Sequence, residues 1–139
     1  MVSIIYDKRN LTPEGSLRKL QEVLKKIKST IIYFESGNRS DILKEGWCPD
    51  CNLNAGQILK FIKANRSAKI LRVLVSFDRD DWKSLSGEPN INNSFRCEPW
   101  LVTGIPCAVL YKEGKIISRT DNPNFSGLEE LWRIADKLR

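Results

Sequence analysis

Histidine is absent from this chain. That removes Ser-His-Asp and Cys-His nucleophilic catalysis as usually built, together with every zinc site that contains histidine. Long apolar runs are missing too, and none approaches the roughly 20 residues that a membrane span requires. The opening residues, Met1-Val2-Ser3-Ile4-Ile5-Tyr6-Asp7, reach a charge too soon for the apolar core of a secretory leader. There is no dense basic stripe with interleaved aromatics. The 23 Lys and Arg against 17 Asp and Glu give a net charge of +6. The cations are scattered: Lys25, Lys26, Lys28, Arg66, Lys69, Arg72, Arg133, Lys137 and Arg139. The reading is a solvated surface that steers acidic proteins weakly, with no nucleic-acid partner and no membrane. Repeats, low-complexity tracts and linkers are lacking, so residues 1–139 are expected to form one domain. A domain of this size buries roughly 70% of the surface its unfolded chain exposes and needs no staple.

Against these absences stands Trp47-Cys48-Pro49-Asp50-Cys51. Two thiols three positions apart at the start of a helix lie close enough to pair. One then attacks a substrate disulfide and the other releases the product by closing an internal bond. The attacking species is the thiolate, which a helix N-terminus stabilises through its unpaired N–H groups and dipole. The expected compartment is the cytosol, where a Cys-x-x-Cys pair signals redox or metal chemistry rather than a structural disulfide. An all-cysteine zinc site usually draws on two close pairs, but the remaining thiols, Cys97 and Cys107, are ten positions apart. No metal is therefore expected.

The pattern along the chain alternates strand and helix. Residues 2–6 are β-prone. Thr12-Pro13 reads as an N-cap followed by proline at the first helical position, and Leu17, Leu20, Leu24 and Ile27 follow at helical spacing. Thr30 to Phe34 is a buried strand and Ser36 to Gly46 a polar loop. A second helix runs from about Cys48 to Ala64, with Cys51, Ala55, Ile58, Leu59 and Ile62 as its apolar face. Ile70 to Phe77 is a strand. Residues 78–104 are irregular, with a short helix near Asn92 to Cys97. Pro106 to Tyr111 and Lys115 to Arg119 form a hairpin closed at Glu113-Gly114, which supplies antiparallel edge strands. Leu128, Leu131, Trp132, Ala135 and Leu138 mark a C-terminal amphipathic helix.

That order resembles the thioredoxin-like order, with the dithiol where such folds carry their active site. The fold class expected is α/β, a central mixed β-sheet flanked by helices on both faces. More narrowly, the Trp-Cys-Pro-Asp-Cys run resembles the active site of the 14-kilodalton thioredoxin-related proteins, the thioredoxin domain-containing protein 17 family. Ser36-Gly37 before a long loop, Asp81-Trp82-Lys83, Asn93-Ser94-Phe95-Arg96 and Val102-Thr103-Gly104-Ile105-Pro106 are similar to segments of that family. The resemblance implies a cytosolic disulfide reductase acting on protein or cystine-like disulfides, recharged by thioredoxin reductase or an equivalent electron donor. It would have no bound cofactor and is expected to be a monomer. Cys107 stands where the family usually has threonine, and the insertion Leu85 to Asn92 lengthens the segment after Trp82.

The roles expected follow from these readings. Cys48 is the nucleophile and Cys51 the resolving thiol. Trp47 shields one side of the sulfur. Pro49 fits the first helical turn, and Asp50 tunes the potential, opposing the thiolate by charge while favouring the helix N-terminus. Pro106 occupies the position of the cis proline of thioredoxin-like folds. The backbone of Ile105 would then face the sulfurs and pair with an extended substrate. Glu35 is expected to face solvent, and Cys97 and Cys107 to be free thiols dispensable for activity. The reading from another class is a non-catalytic thioredoxin-like module whose dithiol captures one partner protein. Turnover of a generic disulfide separates the two.

Overall fold

A computed structural model describes residues 2–42 and 44–138. Met1, Leu43 of the expected 36–46 loop and the basic Arg139 lie outside the described residues. The strands are β1 (Val2–Ile5), β2 (Ser29–Ser36), β3 (Ile70–Ser76), β4 (Cys107–Lys112) and β5 (Lys115–Asp121). The helices are α1 (Pro13–Leu24), α2 (Pro49–Ala64) and α3 (Phe125–Lys137). The sheet order is β1-β3-β2-β4-β5, with β1, β3 and β2 parallel and β4 and β5 antiparallel to their neighbours.

Local chemistry sets the element ends. The Thr12 hydroxyl accepts from the Gly15 N–H at 3.0 Å, and Pro13 opens α1. Asn124 caps α3 in the same way, accepting from Gly127 N–H at 2.8 Å. At the hairpin tip Glu113 and Gly114 have φ of 48° and 84°. Two left-handed residues in a row match the twist of the flanking strands, and glycine takes the second at no steric cost.

Alternation along β2 divides the core. Ile32 and Phe34 belong to one cluster, with Leu71, Val73, Val75 and Val109 of the sheet, Leu20 of α1, and Trp82, Phe95 and Trp100 of the 78–104 segment. Ile31 and Tyr33 belong to the other, with Ile70, Ala108, Leu110, Ile58 and Phe61 of α2, and Leu128 and Leu131 of α3. Helices therefore cover both faces, and a strand buried on both sides reads as the continuous apolar run seen in Thr30 to Phe34.

Three expectations are corrected. Leu59 is half exposed, and Phe61 is fully buried in its place. Ile58 and Phe61 are three apart and share a face, whereas Leu59 lies one step round the helix. The hairpin supplies only one edge strand: β4 is interior, pairing with both β2 and β5, because the chain after Pro106 enters beside β2. Glu35 does not face solvent. Its side chain is 13% exposed and receives two hydrogen bonds of 2.8 Å from Arg72. Arg72 is the β3 partner of Tyr33, so Glu35, two residues on along β2, meets it diagonally on the same sheet face.

Candidate active site

The dithiol sits at the C-terminal end of β2, on the first turn of α2. Cys48 is the N-cap residue in extended conformation, with no side-chain cap bond, and Pro49 follows at the first helical position. Proline has no N–H to leave unsatisfied there. The first helical hydrogen bond runs from Asn52 N–H to the Cys48 carbonyl at 3.1 Å. Cys48 and Cys51 are each 6% exposed.

The two thiols affect each other unequally. A hydrogen-bond interaction with Cys51 is the largest cause of a Cys48 pKa lowered to about 6. Burial opposes that shift, the backbone N–H groups of Cys51 and Asp50 add to it, and the Asp50 carboxylate works against it. Asp50 thus favours the thiolate through its backbone and disfavours it through its side chain. Cys51 is pushed strongly up, first by the same interaction with Cys48 and next by burial. Near neutral pH this arrangement holds Cys48 as thiolate and Cys51 as thiol.

The surrounding chain fixes the pair. The Cys48 N–H donates to Ser36 Oγ at 3.1 Å, and Asn52 Nδ2 donates to the Gly46 carbonyl at 2.9 Å. A side chain at Gly46 would place its Cβ 2.3 Å from Ser36 Oγ and 2.5 Å from the Ser36 carbonyl oxygen, so only glycine lets the loop return against β2. Trp47 is half-buried and donates through Nε1 to Ser76 Oγ at 2.9 Å. Ser76 in turn donates to the Asp81 carboxylate, which also accepts from the Phe77 N–H at 3.0 Å. Burial raises the Asp81 pKa.

The 78–104 segment forms the opposite wall. The Arg96 guanidinium stacks 3.6 Å from the ring centre of buried Trp82 and donates to the carbonyls of Trp82, Val102 and Thr103. One side chain so ties both ends of the segment together. Between this wall and α2 lies a groove of about 420 Å³. Trp47, Cys48, Pro49 and Asp50 line one side, Trp82, Lys83, Gly87 and Pro89 another, and Thr103, Gly104 and Ile105 the third. The Ile105–Pro106 peptide is cis, as is Glu98–Pro99. The Ile105 carbonyl lies 3.7 Å from the Cys48 sulfur, and Pro106 is buried.

The structure brings Trp47, Cys48, Pro49, Asp50 and Ile105 to one groove, whereas Cys51 and Pro106 are buried and do not line it. Cys107 opens β4, fully buried, with its thiol pushed up to about 12 by burial and an Arg119 nitrogen 3.7 Å away. Cys97 is exposed, and all four cysteines are free. Among the described residues no group of three or more His, Cys, Asp or Glu side chains could hold a metal ion, and no helix is long and apolar enough to cross a membrane. Sequence reasoning missed Ser36, Ser76 and the clamp made by Arg96. The Ser36-Gly37 pair and the segments containing Asp81 and Arg96 carried the family resemblance, yet nothing in their spacing signalled contact with the dithiol.

The sequence model of the family described as "Thioredoxin domain-containing protein 17-like, thioredoxin domain" matches residues 13–132. No curated protein gives a significant match. Among solved structures, the chain is similar to the thioredoxin of Plasmodium falciparum in its oxidised form, with TM-score 0.58 and 17% identity over 97% of this chain and 98% of that one. It is also similar to mitochondrial thioredoxin 3 of Saccharomyces cerevisiae, with TM-score 0.54 and 18% identity over 93% and 91%. Thioredoxin O2 of Arabidopsis thaliana gives TM-score 0.55 and 14% identity over 96% and 92%. At these identities the likeness shows the fold, which is thioredoxin-like.

Proposed function

The chain belongs to the thioredoxin domain-containing protein 17-like family, through its thioredoxin domain, and on that premise we propose that it reduces disulfides with Cys48 as nucleophile and Cys51 as resolving thiol. The observation that carries the reading is the placement of two free, buried cysteines on the first turn of α2, with Cys48 lining a groove, and the unequal shifts support it, Cys48 lowered to about 6 and Cys51 pushed up. A thiolate populated near neutral pH is the attacking species that disulfide exchange requires.

The Cys48 thiolate attacks one sulfur of the substrate disulfide. A Cys48–substrate bond forms, the substrate S–S bond breaks, and the departing thiolate takes a proton from water. Cys51 then loses its proton and attacks the Cys48 sulfur. The Cys48–Cys51 bond forms, and the second substrate sulfur leaves as a thiol. Two electrons have passed to the substrate, and thioredoxin reductase or an equivalent donor returns them. No bound cofactor takes part.

Roles for the flanking residues follow from position. Trp47, held through Ser76, shields the sulfur. Pro49 sets the helix start, and Asp50 tunes the thiolate by opposing it. Thr103, Gly104 and Ile105 line the groove beside Cys48, and the backbone of Ile105 with Pro106 at its base docks an extended substrate strand. The substrates are protein disulfides and small cystine-like ones, the compartment is the cytosol, and the protein acts as a monomer. Insulin and cystine turnover, driven by thioredoxin reductase, test the reading. Wild-type activity that Cys48→Ser abolishes is the expected result. No turnover of either substrate by the reduced wild-type protein overturns it.

A further inference from the structure

The groove lined by Cys48 holds a cation that the exchange chemistry does not use. Its basic lining residues are Arg96 and Lys83. Arg96 is committed to the fold, stacked on Trp82 and donating to the carbonyls of Trp82, Val102 and Thr103. Lys83 is partly buried, and among the described residues its ammonium makes no hydrogen bond and no ion pair.

The backbone that carries Lys83 is braced. Its N–H donates to the Arg79 carbonyl at 2.9 Å, and the residue pairs with Pro89 in an isolated antiparallel bridge. On either side of that bridge the Asn90 N–H donates to the Trp82 carbonyl at 3.0 Å, and the Ser84 N–H to the Glu88 carbonyl at 2.8 Å. Gly87, at φ 86°, turns the chain back, a conformation that glycine adopts without steric cost. Asn90 Nδ2 ties the returning arm to the Asp80 carbonyl at 2.9 Å. Residues 82–90 therefore form a small hairpin, and Lys83, Gly87 and Pro89 line the groove from it. Asp50, the one acidic residue lining the groove, lies on the α2 side.

We propose that Lys83 is a specificity residue of this groove, its ammonium binding a carboxylate carried beside the scissile disulfide, so that anionic disulfides are the preferred substrates. The proposal rests on the disulfide-reductase reading above and deepens it. The Cys48 thiolate and Asp50 both repel an anion, and a cation held on the facing wall offsets that repulsion. The same charges orient the substrate: its carboxylate docks at the hairpin, away from Asp50, and its sulfurs lie toward Cys48. Lys83 makes and breaks no bond. The Cys48–substrate bond forms and the substrate S–S bond breaks as described above, and the ammonium keeps its proton throughout.

The test uses three symmetrical disulfides that differ in charge. Dithiodipropionate carries two carboxylates, hydroxyethyl disulfide is neutral, and cystamine carries two ammonium groups. Reduced protein is mixed with each and quenched with iodoacetamide, and the loss of free Cys48 is followed by mass spectrometry. The quantity read is the rate with dithiodipropionate divided by the rate with hydroxyethyl disulfide, so the intrinsic reactivities cancel between protein variants. Lys83→Gln is expected to lower this ratio about fivefold, the effect of losing one partly exposed charge pair, and to raise the corresponding ratio for cystamine. Lys83→Arg retains the charge and should hold the wild-type ratio within about twofold. Lys63→Gln removes the same charge from the last turn of α2 and should also hold it within about twofold. A change of less than about twofold in Lys83→Gln overturns the proposal. So does a ratio that Lys83→Arg fails to keep, because charge is then not the cause. An equal fall in Lys63→Gln overturns it too, because net charge then acts without a docking site. Equal slowing with all three disulfides in Lys83→Gln marks a structural role and has the same consequence. Wild-type protein that reacts with none of the three refutes the reductase reading and this proposal with it, whereas reaction with hydroxyethyl disulfide leaves that reading standing whatever the ratio.

Discussion

Arg72 holds the Glu35 carboxylate with two hydrogen bonds of 2.8 Å, one from Nε and one from Nη2. Both side chains line a cavity of about 270 Å³ that also reaches Cys51. They are 20% and 13% exposed, so the pair is shielded yet retains some contact with solvent. Its bidentate geometry is the strong form of the interaction. Removing one partner leaves the other charge uncompensated. Glu35→Ala is expected to cost about 2–3 kcal/mol, somewhat less than a fully buried pair. Urea denaturation measures it, and a change below about 0.5 kcal/mol, the range of ordinary surface substitutions, contradicts the account.

The ionisation of Cys48 is directly observable. Because its pKa is lowered from 9.0 to about 6, the thiolate forms as pH rises through about 6. Alkylation of the reduced protein by iodoacetamide should therefore climb between about pH 5 and 7 and level off above that range. Asp50→Asn removes the carboxylate that opposes the thiolate, so its midpoint should lie lower than that of wild type. A higher midpoint in that variant would reverse the role given to Asp50.

Single replacements divide the two thiols by function. Cys48→Ser should abolish turnover of insulin. Cys51→Ser should keep the first attack and accumulate a covalent mixed disulfide, visible by mass spectrometry and reversed by dithiothreitol. Accumulation in the Cys48 variant instead would exchange the assignments.

Gly46 admits no side chain beside Ser36. Gly46→Ala must displace either the loop or the end of β2, at about 1–3 kcal/mol for overpacking. The displacement should also disturb the Cys48 N–H bond to Ser36, so the alkylation midpoint of Cys48 should move together with the thermal midpoint. A variant with wild-type values of both would show that the contact is not tight.

The outer thiols are expected to be dispensable. Cys97 is exposed and Cys107 is fully buried, and the two are unbonded. Cys107 packs into the core at the start of β4, with Arg119 beside its sulfur. The double replacement Cys97→Ser with Cys107→Thr should reduce cystine at nearly the wild-type rate. A loss beyond about tenfold, roughly 1.4 kcal/mol in barrier, makes one of them a participant.

The local signals in the chain were short-range and unambiguous. Thr12-Pro13 sets a cap, and Glu113-Gly114 sets a left-handed two-residue turn. The run Thr30 to Phe34 is too apolar to face water on either side. Each depends on residues within a few positions, so periodicity and propensity reveal them. Cys48 and Cys51 are likewise legible, because three positions at a helix start bring the two thiols together whatever else the fold does.

What the chain could not disclose on its own depends on contacts between distant segments. Glu35 looks solvent-facing until the parallel register of β2 and β3 sets Arg72 diagonally beside it. Leu59 and Phe61 are equally apolar, and only the angle at which α2 lies on the sheet decides which is covered. Ser36 is twelve positions before Cys48, and Arg96 spans fourteen residues back to Trp82. The sequence by itself determined which two thiols are neighbours at a helix start and the order of the elements, because those rest on covalent neighbourhood and on which residues avoid water. The tertiary structure alone decided which polar groups surround the sulfurs, because a hydrogen bond acts over about 3 Å and only the folded sheet brings such distant residues that close.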